Sequence, residues 1–512
     1  AFAVIRNLPV IFVVENNGWS EFSSTQDMFR IDRLAQRASG YGMPSATISG
    51  VDAVAVRDAF HTAAERARNG QGPSFLECKV PRLSGHYSKD IEHYRSKEDR
   101  AEAASRDPIV LLSRDLIESG LMAPGEPELM QRAQLDRVAA IATGVLSGAD
   151  PAMVSGSLQV VCGLEPKVMP EVIDTDTLSY IQAVNAALRT ELENDSRTII
   201  FGEDVGKSGG IFGATRNFQR DFGSDRVFDT PIAENAILGA AVGAAMNGLK
   251  PIVEIMWADF IFVALDQLVN QAANIRFITG GESSVPMVVR TQQGATPGSC
   301  AQHSQCIEAI LAHIPGLKVA LAATAQDAYA LIRSASADPD PCIVIEARSL
   351  YQTKSTVSLT ETAEPIGVAR QHRNGRDVVI LTWGTMVLPS IEAAERLELE
   401  GLSVGVLDLR WLSPLDKSAI CQGVRDAGGR VLIVHEAVKT GGFGGELMAR
   451  IYEWLGQDLP LKVQRLCTLD SRIPAAPTLQ RALLPNAETI AEAAMNVVKT
   501  CGETDAKTAN IF

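Results

Sequence analysis

No apolar run in the 512-residue chain approaches the roughly 20 residues that a membrane-spanning helix requires, so no bilayer segment is expected. The N-terminus has no charged, apolar and small-residue succession of a secretory signal, and a cytoplasmic protein is expected. Eight cysteines are scattered without C-x-x-C spacing, which argues against a zinc site or a disulfide framework and for reduced thiols. Positive charge is also short, with 47 Lys and Arg against 61 Asp and Glu and a net charge of -14. Nothing obvious would neutralise a phosphate backbone, so nucleic-acid binding is excluded.

Apolar residues make up 46% and charged residues 21%, the balance of an ordinary globular protein. The length exceeds what one core can serve, and two to four domains are expected. Short β-branched runs recur, each followed by turn residues and a helical pattern: Pro9 to Val14, Thr198 to Phe201, Pro286 to Val289 and Cys342 to Ile345. Val378 to Leu381, Val404 to Leu407 and Arg430 to Val434 continue the series. Continuous apolar strands alternating with helices predict an α/β protein with parallel sheets covered on both faces. Val54 to Arg68 and Ser390 to Leu399 read as amphipathic helices. A stretch rich in Gly, Pro and Ser reads as a linker over 148–173. It parts a unit over 1–147 from a second over 174–350, and a further break precedes a third over 365–500.

In open parallel sheets, ligands bind beyond the carboxyl ends of strands. The run ending at Val14 delivers Glu15-Asn16-Asn17-Gly18-Trp19 to such an end. Amide and carbonyl oxygens there suit Mg²⁺, a hard cation that shares phosphate ligands, although Asn-Asn-Gly by itself also makes a plain turn. Further on lie Pro81-Arg82-Leu83-Ser84-Gly85-His86-Tyr87, Asp90, Tyr94-Arg95 and Asp107-Pro108-Ile109. The second half holds Gly202-Glu203-Asp204-Val205, then Phe228-Asp229-Thr230-Pro231-Ile232-Ala233-Glu234 opening a small-residue helix. After these come Glu254 to Phe260, Asp266-Gln267-Leu268 and Gln302-His303-Ser304-Gln305. Adjacent His303 and Ser304 cannot form a nucleophilic triad. Glu203 and Glu234 alone could also be acids complementing a helix dipole.

Together these segments resemble the E1 component of thiamine diphosphate-dependent 2-oxo acid dehydrogenases (pyruvate, acetoin or branched-chain type). The likeness is to the later part of an α-subunit joined to a complete β-subunit. It implies thiamine diphosphate-binding, transketolase-like parallel-sheet domains followed by a C-terminal α/β domain. By the resemblance, Asn17 (side chain) and Trp19 (carbonyl) serve Mg²⁺, and Phe260 stacks on the cofactor's pyrimidine. Glu234 is the carboxylic acid beside the aminopyrimidine, and a largely buried Glu can carry that proton. By the same resemblance Glu203 lines the same proton path, His86 contacts the diphosphate or helps the acyl-transfer step, and His303 orients or protonates the bound intermediate or meets the incoming lipoyl group.

The implied activity is oxidative decarboxylation of a 2-oxo acid with acyl transfer to lipoamide on an E2 acyltransferase. The implied assembly is at least a homodimer of fused chains. Two features depart from the family pattern. The Gly-Asp-Gly that precedes Asn-Asn by one crossover helix finds no place in the 14 residues before Glu15, so the first unit is expected to be incomplete at its front. The loop Gln292 to Gly298 lacks the usual Arg- and Gly-rich form. An acetoin-cleaving E1, a transketolase-like enzyme and a non-catalytic assembly subunit are the rival expectations. The loop Thr440-Gly441-Gly442-Phe443-Gly444-Gly445 lacks the Lys-Ser/Thr of a P-loop and reads as structural. Ala335 to Asp340 reads either as a monovalent-cation loop or as a bare acidic turn.

Overall fold

The computed structural model describes residues 1–149 and 168–499, so much of the expected linker (residues 150–167) lies outside the described residues. The chain forms two compact units, residues 1–153 and 154–512.

The first unit holds a three-stranded parallel sheet in the order Ile11–Asn16, Ser74–Lys79, Ser45–Ser49. The apolar run read from Pro9 thus becomes a strand at one edge, where Phe12 and Val13 stay exposed. The helix Ala53–Arg68 begins where the Asp52 carboxylate accepts the Val54 and Ala55 N–H groups at 3.0 and 2.9 Å. Such a cap satisfies donors that a first turn leaves open.

Glu77, 0% exposed on the central strand, ties this unit together. Its carboxylate accepts Asn16 Nδ2 at 2.7 Å from one neighbouring strand and Thr47 Oγ1 at 2.8 Å from the other. It also accepts the Ala35 N–H at 3.1 Å. Burial pushes the carboxyl up, but these hydrogen bonds outweigh it and leave it below the ordinary glutamate value. Stability from a lowered folded-state value is present above the ordinary range and is lost as pH falls through the folded value. Glu77→Ala is expected to cost about 3 kcal/mol, since three donors lose a charged acceptor. Hydrogen-exchange protection factors of residues 74–79, which remove the intrinsic pH dependence of exchange, check both points: they should fall on acidification in the wild type and less so in Glu77→Gln, and be lower throughout in Glu77→Ala.

Among the described residues the second unit contains three sheets, two large ones and one of two strands. The larger has seven strands in the order Trp411–Ser413, Lys318–Ala322, Cys342–Ala347, Val288–Gln293, Lys250–Ile255, Thr198–Gly202, Val227–Asp229. All pairs are parallel except Trp411–Ser413. The smaller has five, Arg370–Arg373, Val404–Asp408, Val378–Thr382, Arg430–Val438 and Lys462–Thr468, again parallel save for the first. The expected apolar runs of this unit fall on these strands, with Pro286 and Met287 just ahead of Val288, and the helix Val387–Leu399 contains the predicted amphipathic segment.

Two polar stretches flanking the larger sheet pair with each other, Val172–Ser179 antiparallel to Lys354–Thr360. After Val404–Asp408 the chain leaves the small sheet and Trp411–Ser413 joins the large one, burying Trp411 in its core. In the same joint Arg410 meets Asp327 at 3.0 Å and Glu364 at 2.7 Å.

The Gly-rich loop is a packing device. A Cβ on Gly442 or Gly444 would lie 2.7 Å from the His435 ring. That ring stacks on Trp383 with centroids 5.1 Å apart. Burial pulls the His435 imidazole down to about 4, so it packs as a neutral ring.

Candidate active site

Four adjacent strands of the large sheet release their carboxyl ends along one edge, where ligands of such sheets bind. Thr198–Gly202 delivers Glu203, Val227–Asp229 leads into Glu234, Lys250–Ile255 leads to Trp257, Asp259 and Phe260, and Val288–Gln293 leads to the His303 loop. Gly202 permits this close spacing, because a Cβ there would come within 2.6 Å of the Glu254 carbonyl. Asp229 then shapes the turn after Glu203 by accepting the Gly206 N–H at 2.6 Å and the Lys207 N–H at 3.2 Å.

Glu203 is half-buried, and its Oε1 is a buried oxygen without a hydrogen-bond partner. Burial raises its carboxyl above the ordinary value, and the charges of Glu234 and Asp204 raise it further. Glu234 is the first residue of the helix Glu234–Met246. A raised acid within the field of a second carboxylate is a pair suited to moving a proton. Thr230 Oγ1 and Asp259 Oδ2 are likewise buried without partners. Native proteins seldom leave such groups bare, so three along one edge mark a place for a polar ligand.

His303 stands in an aromatic corner, edge-on to Trp257 at 5.1 Å and to Phe260 at 5.6 Å between centroids. The motif reading had assigned no role to Trp257. The Arg348 guanidinium lies 4.6 Å from the Trp257 ring centroid and 4.2 Å from that of Phe212, contacts no local pattern announces. Sequence reading also passed over Asp259, which accepts Gln305 Nε2 at 3.0 Å and so ties the Phe260 segment to the His303 loop.

In the first unit, Asn17 and Trp19 line a cleft of about 710 Å³ together with Asn16, Thr25, Lys79, Arg82, Arg95 and Arg106. Asn17 Oδ1 accepts the Trp19 N–H at 3.0 Å, and Asn16 Oδ1 accepts the Gly18 N–H at 3.2 Å. Each amide oxygen keeps a second lone pair. Arg95 is buried and fixed by Glu92 at 2.7 Å and Asp99 at 2.6 Å.

His86 does not line this cleft. It is exposed, with Nε2 3.1 Å from Glu21, beside a cluster of Phe22, His93 and Tyr94. Asp90 shapes its loop, accepting the His86 N–H at 2.7 Å and the Tyr94 hydroxyl at 2.8 Å.

Among the described residues, no group of three or more His, Cys, Asp or Glu could hold a metal ion. The acidic turn at 338–340 is neutralised from within. Lys318 Nζ lies 2.7 Å from Asp338 and 3.2 Å from Asp340, and Arg276 reaches Asp340 at 2.5 Å.

Comparison with known proteins matches residues 1–143 to the dehydrogenase E1 component. Residues 176–354 match the transketolase pyrimidine binding domain and residues 367–490 the transketolase C-terminal domain. The chain is 42% identical over 320 residues to the 2-oxoisovalerate dehydrogenase subunit beta of Bacillus subtilis, covering 62% of this chain and 97% of that one. It is 38% identical over 323 residues to the pyruvate dehydrogenase E1 component subunit beta of the same organism (63% and 99% covered). Its fold is shared with a split-gene transketolase, described as an inactive beta4 tetramer, at 21% identity and a TM-score of 0.52 over 63% of this chain and 98% of that one. The chain therefore belongs to the E1 family of 2-oxo acid dehydrogenases, with an α-type E1 segment followed on the same polypeptide by the β-type pair of transketolase domains.

Proposed function

We propose that this chain is an E1 component that decarboxylates a 2-oxo acid with thiamine diphosphate and Mg²⁺, then passes the acyl group to lipoamide on an E2 partner. The observation that carries the reading is the half-buried Glu203 carboxyl, its buried Oε1 without a hydrogen-bond partner and its pKa raised, with Glu234 acting on it at the edge that also presents His303. A polar heterocycle suits an edge that leaves Glu203, Thr230 and Asp259 atoms bare, and Phe260 offers it an aromatic face. When bound, the thiazolium would supply the electron sink for loss of carbon dioxide.

The chain's own residues do the remaining work. Glu234 holds the proton shared with the cofactor's aminopyrimidine nitrogen, and Glu203 extends the proton path behind it. His303, steadied by Trp257 and Phe260, orients the reacting group or meets the lipoyl sulfur. Asn17 and the Trp19 carbonyl hold Mg²⁺ through oxygen, the donor type this ion prefers. The arginines around them suit a diphosphate. His86, on an exposed loop outside that cleft, is left to the acyl-transfer step.

We assign the chain to a dimer at least, acting in the cytoplasm. Exposed Ile232 and Val263 flank the site segments, and apolar surface of that kind favours burial against a partner. No helix of the described residues is long and apolar enough to cross a membrane.

The test combines calorimetric titration of thiamine diphosphate with and without Mg²⁺ and acylation of a lipoylated E2 domain. Substrates are pyruvate, 3-methyl-2-oxobutanoate and acetoin. Mg²⁺-dependent binding with acylation from a 2-oxo acid is expected. Acylation from acetoin alone would make it an acetoin-cleaving enzyme. Absence of binding would make it an assembly subunit.

A further inference from the structure

We propose that the loop carrying His303 takes its working shape from the C-terminal domain, with Glu436, Gln480 and Arg472 as positioning residues. The inference rests on the proposed role of His303. The loop leaves the strand Val288–Gln293 at Gly294, and the C-terminal domain grips it at both ends.

At the entry, Gly294 (φ +90°) and Ala295 wrap around the Glu436 carboxylate. That group accepts the Ala295 N–H at 2.5 Å and the Thr385 hydroxyl. A Cβ on Gly294 would lie 2.6 and 2.8 Å from the two Glu436 oxygens, so only glycine admits the carboxylate. One residue on, Gln480, 4% exposed, donates its amide to the Thr296 carbonyl at 3.0 Å.

At the exit, Arg472 Nη1 donates to Gln305 Oε1 at 2.7 Å, and Gln305 Nε2 donates to Asp259 at 3.0 Å. This chain runs from the C-terminal domain through the loop to the residue beside Phe260. Between the grips the loop is stiffened internally. The Ser299 and Ser304 hydroxyls lie 2.6 Å apart, and Ser304 donates to the Cys300 carbonyl at 2.6 Å. The three gripping side chains act on His303 through the loop backbone and Gln305.

Hydrogen exchange and kinetics of the full chain test this in Arg472→Ala and Gln480→Ala, the first at an exposed position outside the core. Exchange of residues 294–306 should rise in both, with Thr198–Gly202 unchanged. The turnover number should fall roughly tenfold to a hundredfold, since small misplacements of reacting groups cost that much. KM for the 2-oxo acid should move less than about twofold, because ground-state binding is not the interaction removed. In a His303→Ala background the same substitutions should cost nothing more, and Arg472→Lys should recover part of the loss.

Unchanged exchange, or equal losses with and without His303, would overturn the proposal. A His303→Ala chain with full turnover would instead overturn the reading of the site, and with it the functional half of this inference. The exchange result decides the structural half in either case.

Discussion

Glu234→Gln should lower turnover by about 10²–10⁴-fold, the range that a positioned proton-transfer group contributes, while thiamine diphosphate still binds. The amide keeps the size and the helix-initiating place of Glu234 but cannot exchange a proton. Removing it also takes a negative charge from Glu203, whose carboxyl is raised by burial first and by Glu234 second. The Glu203 carboxyl should therefore titrate lower in the variant, though burial keeps it above the ordinary range. Infrared titration of the carboxyl band checks that shift. Undiminished turnover in Glu234→Gln would remove this residue from the chemistry.

The largest stability effect is expected at Arg290, 0% exposed in the middle of the large sheet. Its Nε donates to Glu346 at 2.7 Å and its Nη1 to Glu254 at 2.8 Å, bridging three neighbouring strands. Tyr351 closes the network on Glu346 at 2.6 Å. Arg290→Met strands two buried carboxylates, and breaking such a buried pair costs about 3–5 kcal/mol.

The pH dependence follows in sign. Burial already raises Glu346, and Arg290 is the cation that opposes that rise. Without it the folded-state value climbs further above the unfolded one, so the variant's deficit grows as pH rises and shrinks as pH falls. Melting temperatures at mildly acid and mildly basic pH check this, and Glu254→Gln together with Glu346→Gln should recover part of the loss. A deficit independent of pH would mean that lost packing, rather than stranded charge, sets the cost.

The continuous apolar runs were the legible part of the fold, because strands buried on both faces must be apolar throughout. Val378–Thr382 and Cys342–Ala347 needed nothing beyond that pattern. Val172–Ser179 and Lys354–Thr360 were not legible as a pair, since they are polar and find each other across almost the whole middle of the chain. Trp411–Ser413 is three residues long, and its place in the large sheet is decided by tertiary contact.

At the site, Glu203, Glu234, Phe260 and His303 could be named from motifs at strand ends, and the sheet order gathers those ends along one edge. Trp257, Asp259 and Arg348 could not be given roles, because what each does depends on partners at least 46 residues away. The grip of Glu436, Gln480 and Arg472 on the His303 loop was hidden for the same reason.

Release of labelled carbon dioxide from carboxyl-labelled pyruvate or 3-methyl-2-oxobutanoate tests the central claim most directly. The account predicts release that requires added thiamine diphosphate and Mg²⁺ and that Glu234→Gln lowers by about 10²–10⁴-fold. Release of none from any 2-oxo acid, with cofactor bound, would contradict it.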